Sequence, residues 1–188
     1  MKKYTLSFVL GALILSSCSS KPDPFLISEG QVGALTTETD VSTLEELYST
    51  DSLVKEEGRR DYQFANSDKY QLFEKGGKHL LTITPSSSKD SIRTPRNIII
   101  HDERYTTAKG VSLNSTFKDI KGNYKISKIE GTLNNVIVFV NEIDAYFTID
   151  REELPGEVRF NLSAKIEAVQ IPDDAKIKYF MLGWENVE

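Results

Sequence analysis

Apolar and polar residues alternate along most of this chain, and the alternation predicts strands. "KYQLFEK" and "KHLLTIT" flank Gly76-Gly77, a dipeptide that tolerates the positive φ angles of a two-residue hairpin turn. "NVIVFV" and "AYFTID" flank the polar connector "NEID", and "RTPRNIIIHDE" is expected to enter a strand at Asn97, after Pro95. In "EVRFNLSAKIEAVQI", Val158, Phe160, Leu162, Ala164 and Ile166 fall on one face and charged or polar residues on the other. That is the pattern of a half-buried strand. "AKIKYFMLGW" reads as its antiparallel partner, with Pro172-Asp173-Asp174 as the turn.

Helical spacing is confined to short stretches. Leu44, Leu47 and Tyr48 follow the i, i+3, i+4 rule behind Ser42-Thr43, where Ser42 and Glu45 have the spacing of a capping box. Ser115-Thr116 precedes Phe117 and Ile120 in the same way, which suits a helix cap better than a binding site. Laying Ser42-Thr43 on Ser115-Thr116 matches Leu44 with Phe117, Leu47 with Ile120 and Leu53 with Ile126. The predicted fold class is therefore α+β and mainly β: antiparallel sheet with one or two short helices, with two duplicated halves (26–90 and 91–188, divided at the polar run "PSSSKDSIRTP") as one organisation of a single domain over 26–188.

The first residues follow another pattern. Lys2 and Lys3 precede a twelve-residue stretch from Tyr4 to Leu15 that is mostly apolar and ends in the small residues Ser16 and Ser17. A permanent membrane span needs about 20 residues, so this reads as a cleaved secretory signal peptide over 1–17. Leu15-Ser16-Ser17-Cys18 resembles the bacterial lipobox, and the resemblance implies a lipoprotein with Cys18 lipidated and residues 18–25 as lipidated cysteine and tether. Ser19, in place of an acidic residue, implies sorting to the outer membrane, with the body in the periplasm or at the cell surface.

Composition narrows the chemistry. Loss of residues 1–17 leaves 171 residues, enough for one ample core, and moves the formal charge from −5 to −7 by removing two lysines. An acidic body is a poor partner for nucleic acid, which is held by cationic contacts to phosphate. Cys18 is the only cysteine, so a lipidated chain retains no thiol for disulfides, metal thiolates or nucleophilic catalysis. Nothing in the sequence calls for a cofactor: Gly30-Gln31-Val32-Gly33 lacks the spacing, the preceding strand and the lysine of a phosphate cradle.

Titratable candidates are few. His79, beside the Gly-Gly turn, reads as a solvent-facing hairpin residue. His101 and Glu103, on one side of an extended segment, are weak candidates for holding a cation. Glu152-Glu153, Asp173-Asp174 and Glu56-Glu57 would serve hydrolysis only if folding brought two carboxylates to about 5–10 Å across a cleft. Most of the aromatics spread through the strands are expected to be core, with an exposed binding face as the alternative for Phe180 and Trp184, near the end.

"GQVGALTTETDVSTLEELY" and "KGVSLNSTFKDI", within 27–149, resemble a group of uncharacterised small lipoproteins of Bacteroidota and other Gram-negative bacteria. Asn114 departs from the glycine expected before the Ser-Thr pair. The resemblance implies no activity. The expected function is a membrane-anchored envelope lipoprotein with a non-enzymatic binding or structural role towards an envelope protein or small ligand. The alternative is a hydrolase acting on envelope polymers through paired carboxylates.

Overall fold

The computed structural model describes residues 23–58, 68–87, 90–163 and 165–184. The expected signal peptide over 1–17 and Cys18 lie outside them. Two sheets build the body. The smaller contains β1 (Leu26–Ser28), β2 (Gln31–Val32), β3 (Leu35–Thr36) and β8 (Thr106–Thr107), in the order β3-β2-β1-β8, with β1 and β8 parallel. The larger is an eight-stranded antiparallel sheet ordered β4-β5-β6-β7-β12-β11-β10-β9. Its strands are β4 (Ser52–Glu56), β5 (Lys69–Phe73), β6 (His79–Pro85), β7 (Pro95–Ile100), β9 (Lys128–Gly131), β10 (Asn135–Val140), β11 (Ala145–Asp150) and β12 (Ile177–Gly183). The mainly β reading of the sequence holds.

The strand order has a simple logic. β4 to β7 form one up-and-down meander and β9 to β12 another, and the last strands of each pair at the centre, with Phe180 opposite Ile100 and Leu182 opposite Ile98. A short helix precedes each meander: α1 (Leu44–Leu47) before β4, and α2 (Phe117–Asn123) before β9. Leu44 and Phe117, matched in the sequence, are both fully buried. Leu47 is 38% exposed where its match Ile120 is buried. The two meanders divide after β7, because residue 90 falls inside the connection between β6 and β7, which pair along their length.

Alternation places the core on one face of the large sheet. Leu81 and Ile83 of β6, Ile98 and Ile100 of β7, Phe147 and Ile149 of β11, and Phe180 and Leu182 of β12 all have 2% exposure or less. The small sheet and the helices supply buried Ile27, Leu35, Leu44, Phe117 and Ile120 to the same core. A large apolar side chain contributes about 1.5–3 kcal/mol on burial, which holds helices too short to stand alone in water.

Four local expectations are corrected. The described residues of 157–171 form no strand: Gly156–Arg159 form α3, and Ala168–Gln170 a 3-10 turn. The reason lies in Arg151, whose guanidinium takes the carbonyls of Val158, Arg159 and Asn161, so those groups cannot serve a ladder. Both sides of β12 are already occupied, by β7 and β11. At α1, Asp40 rather than Ser42 caps the chain, accepting from the Ser42 N–H at 2.9 Å. The reciprocal arrangement occurs at α2, where the Asp119 carboxylate accepts from the Thr116 N–H at 2.7 Å. The Gly76-Gly77 hairpin forms, with φ of +124° and +94°, but its connection runs from Glu74 to Lys78, closed by the Glu74 N–H on the Lys78 carbonyl. Phe180 and Trp184 are buried, so neither presents an exposed face.

Candidate functional site: the uncovered face of the sheet

The side chains that point away from the core form a row across the large sheet. Pairing places Val54, Gln71, Thr82, Ile99, Met181, Tyr146, Phe139 and Lys128 in succession from one edge strand to the other. Gln71, Ile99, Met181, Tyr146 and Phe139 are half-buried, and Tyr179 beside them is 46% exposed. Phe139 and Tyr146 stack with ring centroids 5.9 Å apart, and the Asn97 amide donates to the Tyr146 hydroxyl. Gly183 makes room for that ring, since a Cβ there would sit 3.3 Å from Tyr146 Cε1. The row is apolar and aromatic in its middle.

One end of the face is polar. His79 and His101, brought together by the β6–β7 pairing, stack at 3.7 Å between centroids, and Phe73 stacks on the other side of His79 at 4.6 Å. Thr82 Oγ1 donates to Gln71 Oε1 at 2.6 Å and lies 2.8 Å from His101 Nε2 and 3.3 Å from His79 Nε2. Because the hydroxyl proton is committed to Gln71, His101 must donate through Nε2–H. His79 is thus not a free hairpin residue, and His101 and Glu103 do not share a partner. Strand β7 ends at Ile100, and Glu103 sits in a turn accepting from the Asn114 amide at 2.6 Å. That bond occupies the position where a glycine was expected. Among the described residues no group of three or more histidine, aspartate or glutamate side chains is placed to hold a metal.

His101 is exposed as a residue, yet the stacked ring pays a desolvation cost and faces a second imidazole. The two effects push it from 6.5 down to about 4. A depressed histidine favours folding while neutral, and that contribution is lost as pH falls from 6.5 through about 4. In a proton-NMR titration His101 should stay neutral at pH 6, and His79→Ala should move its titration up towards 6.5. An unmoved titration would remove His79 as a cause.

Beneath the histidines, Asp102 is fully buried. Burial by itself would raise its pKa, but hydrogen bonds from the Arg104 side chain and backbone and from Lys78 bring it down to about 2. Arg104 Nη2 lies 2.6 Å and Lys78 Nζ 3.2 Å from Asp102 Oδ2, and Arg104 Nη1 reaches Glu74 at 2.9 Å. Arg104 also covers the Phe25 ring at 4.3 Å. This network ties the turn after β7 to the β5–β6 connection and to the start of β1. Every acid in it is neutralised.

A nucleophilic hydroxyl must give its proton to a base, whereas Thr82 gives its proton to an amide oxygen and accepts one from His101. The carboxylates fare no better as a hydrolytic pair. Asp150 and Glu152 line an open groove of about 460 Å³ at the far end of β11, but Asp150 is held below the usual carboxylate range by its bond from Lys178 at 2.9 Å. Glu152 faces Arg159 at 3.6 Å. A general acid needs a raised pKa, and the lowered Asp150 cannot supply one. Asp173 of the acidic pair at 173–174 is engaged by Lys121.

No family model and no curated protein matches the chain. Among solved structures, it is similar to the uncharacterized protein yfeY from Escherichia coli, with 16% sequence identity, a TM-score of 0.56, and coverage of 84% of this chain and 99% of that one. At that identity the likeness is one of fold.

Proposed function

We propose that this chain is a lipid-anchored envelope protein with a non-enzymatic binding or structural role, and that the uncovered face of its large sheet receives an envelope protein. The observation that supports it most is the unpartnered row through Ile99, Met181, Tyr146 and Phe139. These residues are half-buried on the face opposite the core, with Tyr179 46% exposed beside them, and contiguous apolar surface on a sheet face marks an interaction site. A protein suits it better than a small molecule, because the face is open and small ligands are held in concave sites that bury most of their surface. Anchoring through Cys18 follows from the lipobox-like sequence, and two or three acyl chains hold a body durably where one alone does not. No helix among the described residues is long and apolar enough to cross a membrane.

Intact-mass analysis and membrane fractionation of the native protein beside Cys18→Ser test the anchor: acylated wild type on the membrane and the variant released is the expected result. A photo-crosslinking residue at position 179, compared with one at position 92 in the β6–β7 connection, tests the face. Adducts at 179, abolished by Met181→Arg and absent at 92, are expected. Equal yields at the two positions would overturn the assignment of the face.

A further inference from the structure

The segment expected to be a strand and found otherwise carries the largest exposed apolar side chains of its neighbourhood. Phe160 is 78% exposed and Leu162 57%, and Leu133, in the turn between β9 and β10, is 69% exposed. All three line one groove, together with Asp150, Glu152, Arg159 and Lys178.

These side chains sit on a braced platform. Arg151, only 4% exposed, holds the carbonyl of Thr132 in one loop and those of Val158, Arg159 and Asn161 in the other, all within 2.8–3.1 Å. Gly131 leaves the space: a Cβ there would lie 3.2 Å from Arg151 Nη1 and 2.9 Å from Ile166 Cδ1. An arginine whose three side-chain nitrogens all donate to backbone carbonyls spends charge-assisted bonds on ordering loops whose apolar side chains stay in water. Such a platform fits a surface that covers them only when the protein is in place.

Strand register shows where the platform faces. Phe180 lies opposite Ile100, Phe147 opposite Phe180, and Val138 opposite Phe147, so the end of β7 and the start of β10 at Asn135 lie towards one end of the sheet, three strand spacings (roughly 14 Å) apart across the sheet and three residues (roughly 10 Å) along it. The first described residues enter at that same end: the Phe25 carbonyl accepts from the Thr106 N–H at 3.0 Å, and its ring meets Tyr105 at 5.0 Å. Four residues lie between Cys18 and Asp23, so the five steps of chain reach at most about 18 Å. A tether this short holds that end of the body near the anchor.

We propose that Leu133, Phe160 and Leu162 form a membrane-contact edge that inserts into the interfacial region of the bilayer carrying the anchor. The charges around them pair with one another, Lys178 with Asp150 at 2.9 Å and Arg159 with Glu152 at 3.6 Å, so the edge carries no unpaired sign into a headgroup region. With two charges of each sign, the contact is driven by apolar burial and resists salt.

The proposal rests on the anchor reading, and one experiment separates the two. Full-length acylated protein is reconstituted in phosphatidylethanolamine/phosphatidylglycerol vesicles containing headgroup-region nitroxide lipid. The emission of Phe160→Trp and of Ile92→Trp is then measured, with the signal of the buried native Trp184 subtracted. Ile92 is 62% exposed at the opposite end of the sheet, where Pro85 pairs with Pro95. The expected result is at least twofold quenching for Phe160→Trp, insensitive to added salt, and little for Ile92→Trp. Equal, weak quenching at both positions in acylated protein would overturn the membrane edge, leave the anchor intact, and assign the platform to a protein partner. A wild type found unacylated by mass would overturn the anchor and the edge with it.

Discussion

Phe180→Ala is expected to be the most damaging single truncation, lowering the unfolding free energy by about 3–5 kcal/mol. Phe180 is fully buried on β12, opposite Ile100 of one meander and Phe147 of the other, with the Phe147 ring at 4.5 Å. Its removal leaves a cavity at the seam where the two meanders join, and forfeits an aromatic contact of about 0.5–1.5 kcal/mol. Because the seam is ladder and core at once, the whole body should still unfold in one transition. Urea denaturation followed by far-UV circular dichroism and by the fluorescence of buried Trp184 reads both properties. Coincident curves shifted to lower urea with unchanged slope are expected. A loss under about 1 kcal/mol, or two separated transitions, would mean that the meanders are independent units.

The second large effect is expected from Arg151→Met, which keeps much of the side-chain volume and removes the guanidinium. Four carbonyls lose their donor, and a buried acceptor left unpaired costs about 1–3 kcal/mol. Water entering this end of the sheet offsets part of that, leaving a loss of about 3 kcal/mol and a fall in Tm of roughly 10 °C. Limited proteolysis should show new cleavage between Pro155 and Ser163 before the sheet itself is cut. Arg151→Lys should restore less than half of the loss, since an ammonium cannot reach four carbonyls arranged around a planar fork. Full rescue by lysine would show that charge, not the fork, orders these loops.

How much of this was legible beforehand depends on the range of the interaction. The β5–β6 and β10–β11 hairpins, β7 after Pro95, β12, and the cap at Thr116 follow from neighbours a few residues apart: alternation, a Gly-Gly turn, a Ser-Thr pair before an apolar spacing. That His79 and His101 come close was within reach, because antiparallel pairing of "KHLLTIT" with "RNIIIH" brings both to the same end of neighbouring strands, although the register sets Leu80 rather than His79 across from His101. Treating each histidine alone concealed it. The membership of β12 in a seam between two meanders was not within reach, since pairing strands 80 residues apart leaves no mark in either strand.

Residues 157–171 show the limit most plainly. Their alternation is as regular as that of any true strand, yet a strand also needs a partner with free backbone groups. Here β7 and β11 had taken both sides of β12, and a buried arginine had claimed the carbonyls. The sequence by itself determined the β-rich class, the hairpins and the motif at Cys18, because hydrophobic period and turn chemistry are local. Only the tertiary structure decided which strands meet, which apolar side chains stay in water and which face is left uncovered, because the competition of distant segments for one ladder and one core is settled by the whole chain at once.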